Sequence, residues 1–304
     1  MSFYPRAAEE LFTIRDWLRF TVSRFEESGI FYGHGTDNAY DEAAWLILTA
    51  LHLPHDTLEN FLDAVITEQE RRHLAHLVER RVTERTPTAY LVREAWLKGF
   101  KFYVDERVIV PRSFIAELLE EQLAPWIEFP EMVTSAADIC TGSGCLGVLL
   151  AHAFPDAAID VVDISPDAIS VANINIANYG LQEQVQAIQS DMFTALQGKT
   201  YDLIISNPPY VDAPSMATLP QEYRNEPQLA LGSGLAGLDH THTLLREAPK
   251  HLNEGGLLVV EIGHNRDALL EAYPDLPFTW LEVEAGNEFV FLIGREDLLQ
   301  ANSH

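Results

Sequence analysis

Two stretches of the 304-residue chain combine residue types and spacings able to do chemistry. The later one, Tyr201-Asp202-Leu203-Ile204-Ile205-Ser206-Asn207-Pro208-Pro209-Tyr210, reads as a strand that ends in Asn-Pro-Pro-Tyr. Two prolines fix φ and donate no hydrogen bond, so the backbone leaves the sheet rigidly with its carbonyls exposed. The motif offers two acceptors at a set separation, the Asn207 side-chain oxygen and the Pro208 carbonyl, with the Tyr210 ring as a flat face beside them. Those groups suit a planar NH2 attached to an sp2 carbon. The lone pair of such a nitrogen is delocalised. Hydrogen bonds to both N–H groups position it and favour pyramidalisation toward an electrophile, so catalysis becomes orientation and charge placement. A Pro-Pro turn that merely ends a core strand is the plainer alternative.

The earlier stretch, Ala136-Ala137-Asp138-Ile139-Cys140-Thr141-Gly142-Ser143-Gly144-Cys145-Leu146-Gly147, reads as strand, glycine loop and helix start. Gly142, Gly144 and Gly147 fit GxGxxG, and Asp163 follows Gly142 by 21 residues at the end of the next strand. A carboxylate there accepts hydrogen bonds from both ribose hydroxyls of an adenosine cofactor. Nicotinamide dinucleotide and S-adenosylmethionine both satisfy that pattern. Two features favour the methyl donor. No Lys or Arg occurs between Arg112 and Lys199, which suits a phosphate-free sulfonium cation beside Asp138 better than a pyrophosphate. The second is the Asn-Pro-Pro-Tyr motif itself.

These motifs need a frame. From about Ser113 onward, apolar runs at Ala136–Cys140, Ile159–Val162, Val185–Ile188, Leu203–Ile205 and Leu257–Ile262 alternate with helical segments. Runs of this kind predict parallel strands covered on both faces, an α/β doubly wound sheet. Thr279–Glu284 and Phe289–Gly294 flank the turn Ala285-Gly286-Asn287, so the sheet is expected to end with an antiparallel edge strand. Upstream, Phe100, Phe102 and Val104, then Val108 and Val110, alternate around Asp105-Glu106-Arg107 and predict a hairpin. The first 85 or so residues read as helices. Leu11, Ile14, Trp17, Leu18, Val22 and Phe25 form one apolar face, and Asp37 and Asn38 cap a second helix that Pro54 stops. Two more are expected around Leu58–Val65 and Thr67–Arg85.

The 46 acids and 20 bases leave a formal charge of −26. Residues 1–105 carry a net −5 and residues 106–304 a net −21. Phosphate backbone repels such a surface, which argues against a general nucleic-acid binder and against direct sequence-specific nucleic-acid binding. Cys140 and Cys145 cannot build a disulfide framework and lack zinc-finger spacing, and the histidines lack paired metal spacing, so no metal is expected. The start MSFYPRAAEE carries no signal pattern and no apolar run reaches the ~18 residues of a membrane span, so a cytoplasmic protein with no membrane partner is expected.

Asp-x-x-Thr-Gly-Ser-Gly at 138–144, Asp163, Ser-Asp-Met-Phe at 190–193 and Asn-Pro-Pro-Tyr at 207–210 resemble the amino methyltransferases, which modify adenine, cytosine or glutamine side-chain nitrogens. Thr86-Pro87-x-x-Tyr90, Val110-Pro111-Arg112, Glu226-Pro227-x-x-Ala230-Leu231 and Glu261-Ile262-Gly263 resemble the protein-glutamine branch, so the likeness spans roughly residues 86–294. Cys140 stands where release-factor methyltransferases usually carry glycine. Cys-Thr-Gly-Ser-Gly-Cys and Phe31-Tyr32-Gly33-His34-Gly35-Thr36-Asp37-Asn38 are similar to enzymes acting on a large-subunit ribosomal protein, L-three. Two positions depart from the family pattern. Gly232-Ser233-Gly234-Leu235-Ala236-Gly237-Leu238 lacks a customary acid, and Met192 replaces an aromatic.

The resemblance implies a Rossmann-like class I methyltransferase sheet that uses S-adenosyl-L-methionine. It implies residues 1–86 as a helical substrate-recognition domain, 87–111 as a β-hairpin linker and 112–304 as the methyltransferase domain. By the same likeness, Asp138 and Cys140, Thr141, Gly142, Ser143 and Gly144 wrap the cofactor's methionine end. Asp163 holds the ribose, and Asp191 and Met192 border the adenine. Asn207, Pro208, Pro209 and Tyr210 bind the glutamine amide, with Asn207, Pro208 and Tyr210 catalytic and Asn207 also at the cofactor. The implied partner is a basic ribosomal protein, alone or within an assembling ribosome. Open alternatives are a release-factor glutamine methyltransferase, an adenine methyltransferase on DNA or RNA, a nicotinamide-dependent oxidoreductase, and a non-catalytic ribosome-assembly factor that binds the cofactor.

Four further features are read with two roles each. His34 is a loop or capping residue, or a substrate contact. Arg112 pairs with a cofactor or product carboxylate, or forms a structural ion pair. Arg71, Arg72, Arg80, Arg81 and Arg85 form a solvated helix face paired with Glu70, Glu79 and Glu84, or touch ribosomal RNA. The segment from Pro220 to His242 closes over a peptide, or is a plain surface loop.

Overall fold

A computed structural model describes residues 3–301. Residues 1–2, the first two of MSFYPRAAEE, and 302–304 fall within the expected boundaries 1–86 and 112–304 but lie outside the described residues. The chain divides into two compact units. One comprises Met1–Ala95, Val104–Glu106 and Pro220–Glu226; the other comprises Trp96–Tyr103, Arg107–Leu219 and Pro227–His304.

The first unit is helical: α1 Phe3–Glu10, α2 Ile14–Glu27, α3 Ala39–Ala50, α4 Leu58–Phe61, α5 Glu68–Thr83 and α6 Thr88–Val92. Trp17, Phe25, Leu46, Ile47, Leu74 and Val78 form its core and are almost wholly removed from water. The apolar stripe expected to run unbroken from Leu11 to Phe25 is interrupted before Ile14. Thr13 accepts from the Asp16 N–H while the Asp16 carboxylate takes the Thr13 N–H, a capping box that starts a new helix. Asn38 caps α3 by accepting from the Asp41 N–H at 2.9 Å.

The expected hairpin around Asp105-Glu106-Arg107 is displaced toward the N-terminus. β1 Ala95–Leu97 pairs with β2 Phe100–Phe102 in a two-stranded sheet. A two-residue hairpin loop of type I′ requires positive φ at both central positions. Lys98 at φ 48° and Gly99 at φ 78° supply it, so the turn forms there and Val104–Val110 forms no strand.

The second unit holds seven strands: β3 Ser135–Ile139, β4 Ala158–Asp163, β5 Val185–Gln189, β6 Tyr201–Ser206, β7 Leu252–Glu261, β8 Thr279–Val283 and β9 Gly286–Gly294. Their order is β5-β4-β3-β6-β7-β9-β8. The first five run parallel, and β9 is antiparallel to both β7 and β8. The antiparallel strand is therefore inserted one place inside the edge, and β8 occupies the edge expected for it. The turn between β8 and β9 specifies the hairpin but not which of its strands docks on β7. Helices α7 Ile115–Glu120, α8 Cys145–Ala153, α9 Pro166–Asn178, α10 Ala213–Thr218, α11 Asp239–Glu247, α12 Arg266–Ala272 and α13 Arg295–Ala301 complete the unit, an α/β Rossmann-like architecture. Ile139, Val162, Ile204, Leu258, Val260 and Phe291 fill the sheet's core. No helix among the described residues is long and apolar enough to cross a membrane.

Candidate active site

The strand order reverses between β3 and β6, and open α/β sheets bind ligands beyond the carboxyl ends of strands at such a point. A cleft of about 810 Å³, its open mouth included, lies there. Four strand ends line it: Cys140 and Gly142 after β3, Asp163 at the end of β4, Ser190, Asp191 and Met192 after β5, and Asn207 and Pro209 after β6. Motifs up to 67 residues apart in the chain, Cys140 and Asn207, thus share one wall.

Asp163 is held by backbone donors. Its Oδ2 accepts from the Gly142 N–H and its Oδ1 from the Ser165 N–H, both at 2.9 Å. Burial raises its carboxyl pKa, and these N–H groups oppose the rise. Asp138 has a different place. It is fully buried behind the loop and accepts the Thr141 hydroxyl, so it shapes the loop from beneath. Burial pushes its carboxyl up to about 7 against that hydrogen bond. Asp138, Thr141, Ser143 and Gly144 are thus outside the cleft lining.

Cys140 and Met192 both adopt left-handed backbone, at φ 64° and 47°. That region costs a residue bearing a Cβ about 1–2 kcal/mol. Glycine would avoid this penalty, whereas here the Cys140 sulfur contacts the Met192 sulfur at 3.6 Å. Burial raises both thiols, Cys145 up to about 12, so they stay neutral.

The Asn207 side chain donates through Nδ2 to the Arg112 carbonyl at 3.0 Å. A carbonyl only accepts, so the NH2 must face Arg112 and Oδ1 is left as the acceptor. Tyr210 and Pro208 do not line the cleft. The Tyr210 ring lies so close to Gly263 that a Cβ there would stand 2.7 Å from it. Its hydroxyl reaches Glu261 Oε1 at 3.4 Å, and its carbonyl accepts from Asn265 Nδ2 at 2.7 Å. The expected aromatic plate is therefore turned into the fold. Arg112 donates from Nη1 to the Val110 carbonyl at 3.1 Å.

The cleft also uses residues that motif reading passed over. Arg107, Val108 and Ile109 arrive from the segment after β2, and Pro227, Leu229, Ala230 and His240 from beyond the Asn-Pro-Pro-Tyr loop. The Glu226-Pro227-x-x-Ala230 pattern was a usable signal for the second group. Nothing local marks the first. Arg107 is the one Lys or Arg in the lining, and it lies outside the base-free span.

In the helical unit, His34 is buried, with Nε2 3.6 Å from Glu226 Oε1 and its ring 4.5 Å from that of Tyr223. The arginine run is only partly a solvated face. Arg72 pairs with Glu68 and Arg80 with Glu84, but Arg81 is 1% exposed and bonds Glu42 Oε1 at 2.5 Å. Arg71 donates to the Ala8 and Ile66 carbonyls, and Glu70 caps α5 at Thr67.

Over 97% of its length the chain is 60% identical to the ribosomal protein uL3 glutamine methyltransferase of Neisseria gonorrhoeae, with 99% of that protein covered. The chain belongs to that methyltransferase family. The proteins of the same name from Bordetella pertussis and Burkholderia pseudomallei are 52% and 50% identical, over 95% and 94% of this chain and 97% and 95% of theirs. The methyltransferase small domain model matches residues 117–221. A solved methyltransferase from Pyrococcus furiosus is 18% identical, with 66% of this chain and 90% of that one covered and a TM-score of 0.45. A sulfonium methyl donor fits this methyltransferase's cleft: its walls are apolar at Val108, Ile109 and Val162, and Asp163 and Asp191 place carboxyl groups in its lining.

Proposed function

We propose that the chain transfers the methyl group of S-adenosylmethionine to the side-chain amide nitrogen of a glutamine in ribosomal protein uL3. The observation that carries this reading is the Asn207 amide, whose NH2 is committed to the Arg112 carbonyl while its cleft is shared with Asp163. When bound, S-adenosylmethionine supplies an electrophilic methyl on its sulfonium sulfur. Asp163 would hold the ribose hydroxyls, Cys140 and Gly142 of the glycine loop the methionine end, and Asp191 and Met192 the adenine. Asn207 Oδ1 at the cleft would accept from one N–H of the substrate amide, and the Pro208 carbonyl, between the lining residues Asn207 and Pro209, from the other, holding the nitrogen for attack. Cys140, half-buried in the cleft lining, and buried Cys145 take no covalent part.

Residues 1–86 would recognise the partner, a basic large-subunit ribosomal protein in the cytoplasm, free or within an assembling particle. The test is transfer of a labelled methyl from S-adenosylmethionine to purified uL3, read by mass spectrometry as a methylated glutamine. Asn207→Ala should lower kcat by at least 100-fold and leave S-adenosylhomocysteine affinity within about 2-fold, the scale of a lost preorganised polar group. An Asn207→Ala variant with the parent rate, or label found in RNA instead of glutamine, would overturn the reading.

A further inference from the structure

The mechanism above leaves Glu261 unused. It ends β7, is 2% exposed and sits among hydrogen-bond donors. Its Oε2 accepts the Ser113 hydroxyl at 2.6 Å and the Phe114 N–H at 2.9 Å, while Oε1 lies 3.4 Å from the Tyr210 hydroxyl. A buried carboxylate is retained only where such donors replace its water. The position of those donors matters. Ser113 N belongs to the same planar peptide unit as the Arg112 carbonyl, and that carbonyl accepts the Asn207 amide. Glu261 thus holds Ser113, the residue next to the carbonyl that orients Asn207, through its hydroxyl and through the Phe114 N–H that follows it, and touches Tyr210 at the other end of Asn-Pro-Pro-Tyr.

An asparagine amide has nearly equal shape with oxygen and nitrogen exchanged, so only its hydrogen bonds decide which atom points where. A turned amide would present donors to the substrate's own N–H groups. We propose that Glu261 is a positioning residue that, by fixing the Ser113–Phe114 backbone, keeps the Arg112 carbonyl on the Asn207 NH2 and so keeps Asn207 Oδ1 as the substrate acceptor. The inference rests on the glutamine-amide reading of the site.

Glu261→Gln keeps the size and one acceptor but removes the charge. It should lower kcat for uL3 by about 10-fold, leaving KM and S-adenosylhomocysteine affinity within about 2-fold, the split expected when only transition-state orientation is lost. Selective ¹⁵N-asparagine labelling supplies a readout independent of turnover: the Asn207 side-chain NH2 should lose exchange protection in Glu261→Gln. Ser113→Ala removes one of the two donors to Oε2 while leaving Glu261 itself in place and should reproduce part of both effects. Parent kcat with unchanged Asn207 exchange in Glu261→Gln would overturn the proposal. If Glu261→Gln does not fold, parent behaviour of Ser113→Ala overturns it. A wild-type protein that makes no methylglutamine would fail the functional reading, and the exchange comparison would still decide whether Glu261 orients Asn207.

Discussion

Asp138 shows how one residue can serve a ligand site without touching the ligand's space. Its carboxyl lies under the glycine loop, takes the Thr141 hydroxyl and is raised by burial to about 7. The unfolded value is near 3.9. A raised acid binds its proton more tightly in the folded state, so its contribution to stability is complete below about pH 4 and is lost as pH climbs toward 7. Asp138→Asn removes that dependence. Urea midpoints of the two proteins across pH 4.5–8 should therefore diverge in the variant's favour up to about pH 7 and then run parallel. A pH-independent difference would refute this account of the buried carboxyl.

At the scale of elements, the site depends on how closely α8 approaches β4. A Cβ at Gly147 would overlap the Val161 side chain, so the helix that follows the glycine loop reaches the sheet only because that position is bare. Gly147→Ala should push α8 outward and destabilise the fold by about 2 kcal/mol, within the usual range for overpacking. Because α8 begins one residue after the loop, S-adenosylhomocysteine affinity should fall as well. Denaturant titration and calorimetry check the two effects, and unchanged values in both would show that α8 has slack.

For the whole molecule, the unequal charge is the largest lever. Residues 106–304 carry a net −21 while the cleft admits a single arginine, so the field of this half favours cationic ligands and disfavours phosphate. If the substrate is a basic ribosomal protein, kcat/KM should fall about 10-fold between 50 and 500 mM salt through weaker steering, while kcat stays constant. A salt-independent kcat/KM would leave the charge with no part in substrate capture.

The sequence by itself determined whatever repeats locally. The alternation of apolar runs and helical segments set the parallel strands, and Thr67 and Asn38 marked helix starts through caps that involve only near neighbours. The glycine loop, Asp163 and Asn-Pro-Pro-Tyr were legible because each is a short backbone device at a strand end. Tertiary structure alone decided what depends on distant partners. The turn at Lys98-Gly99 won over Asp105–Arg107 because its backbone reaches positive φ twice. Insertion of β9 beside β7, burial of Arg81 on Glu42, and the turn of Tyr210 onto Glu261 and Gly263 each join residues dozens of positions apart. Periodicity reports which face of an element is apolar. It carries no term for which other element covers that face, and the orientation of Asn207 by the Arg112 carbonyl, 95 residues away, is such a term.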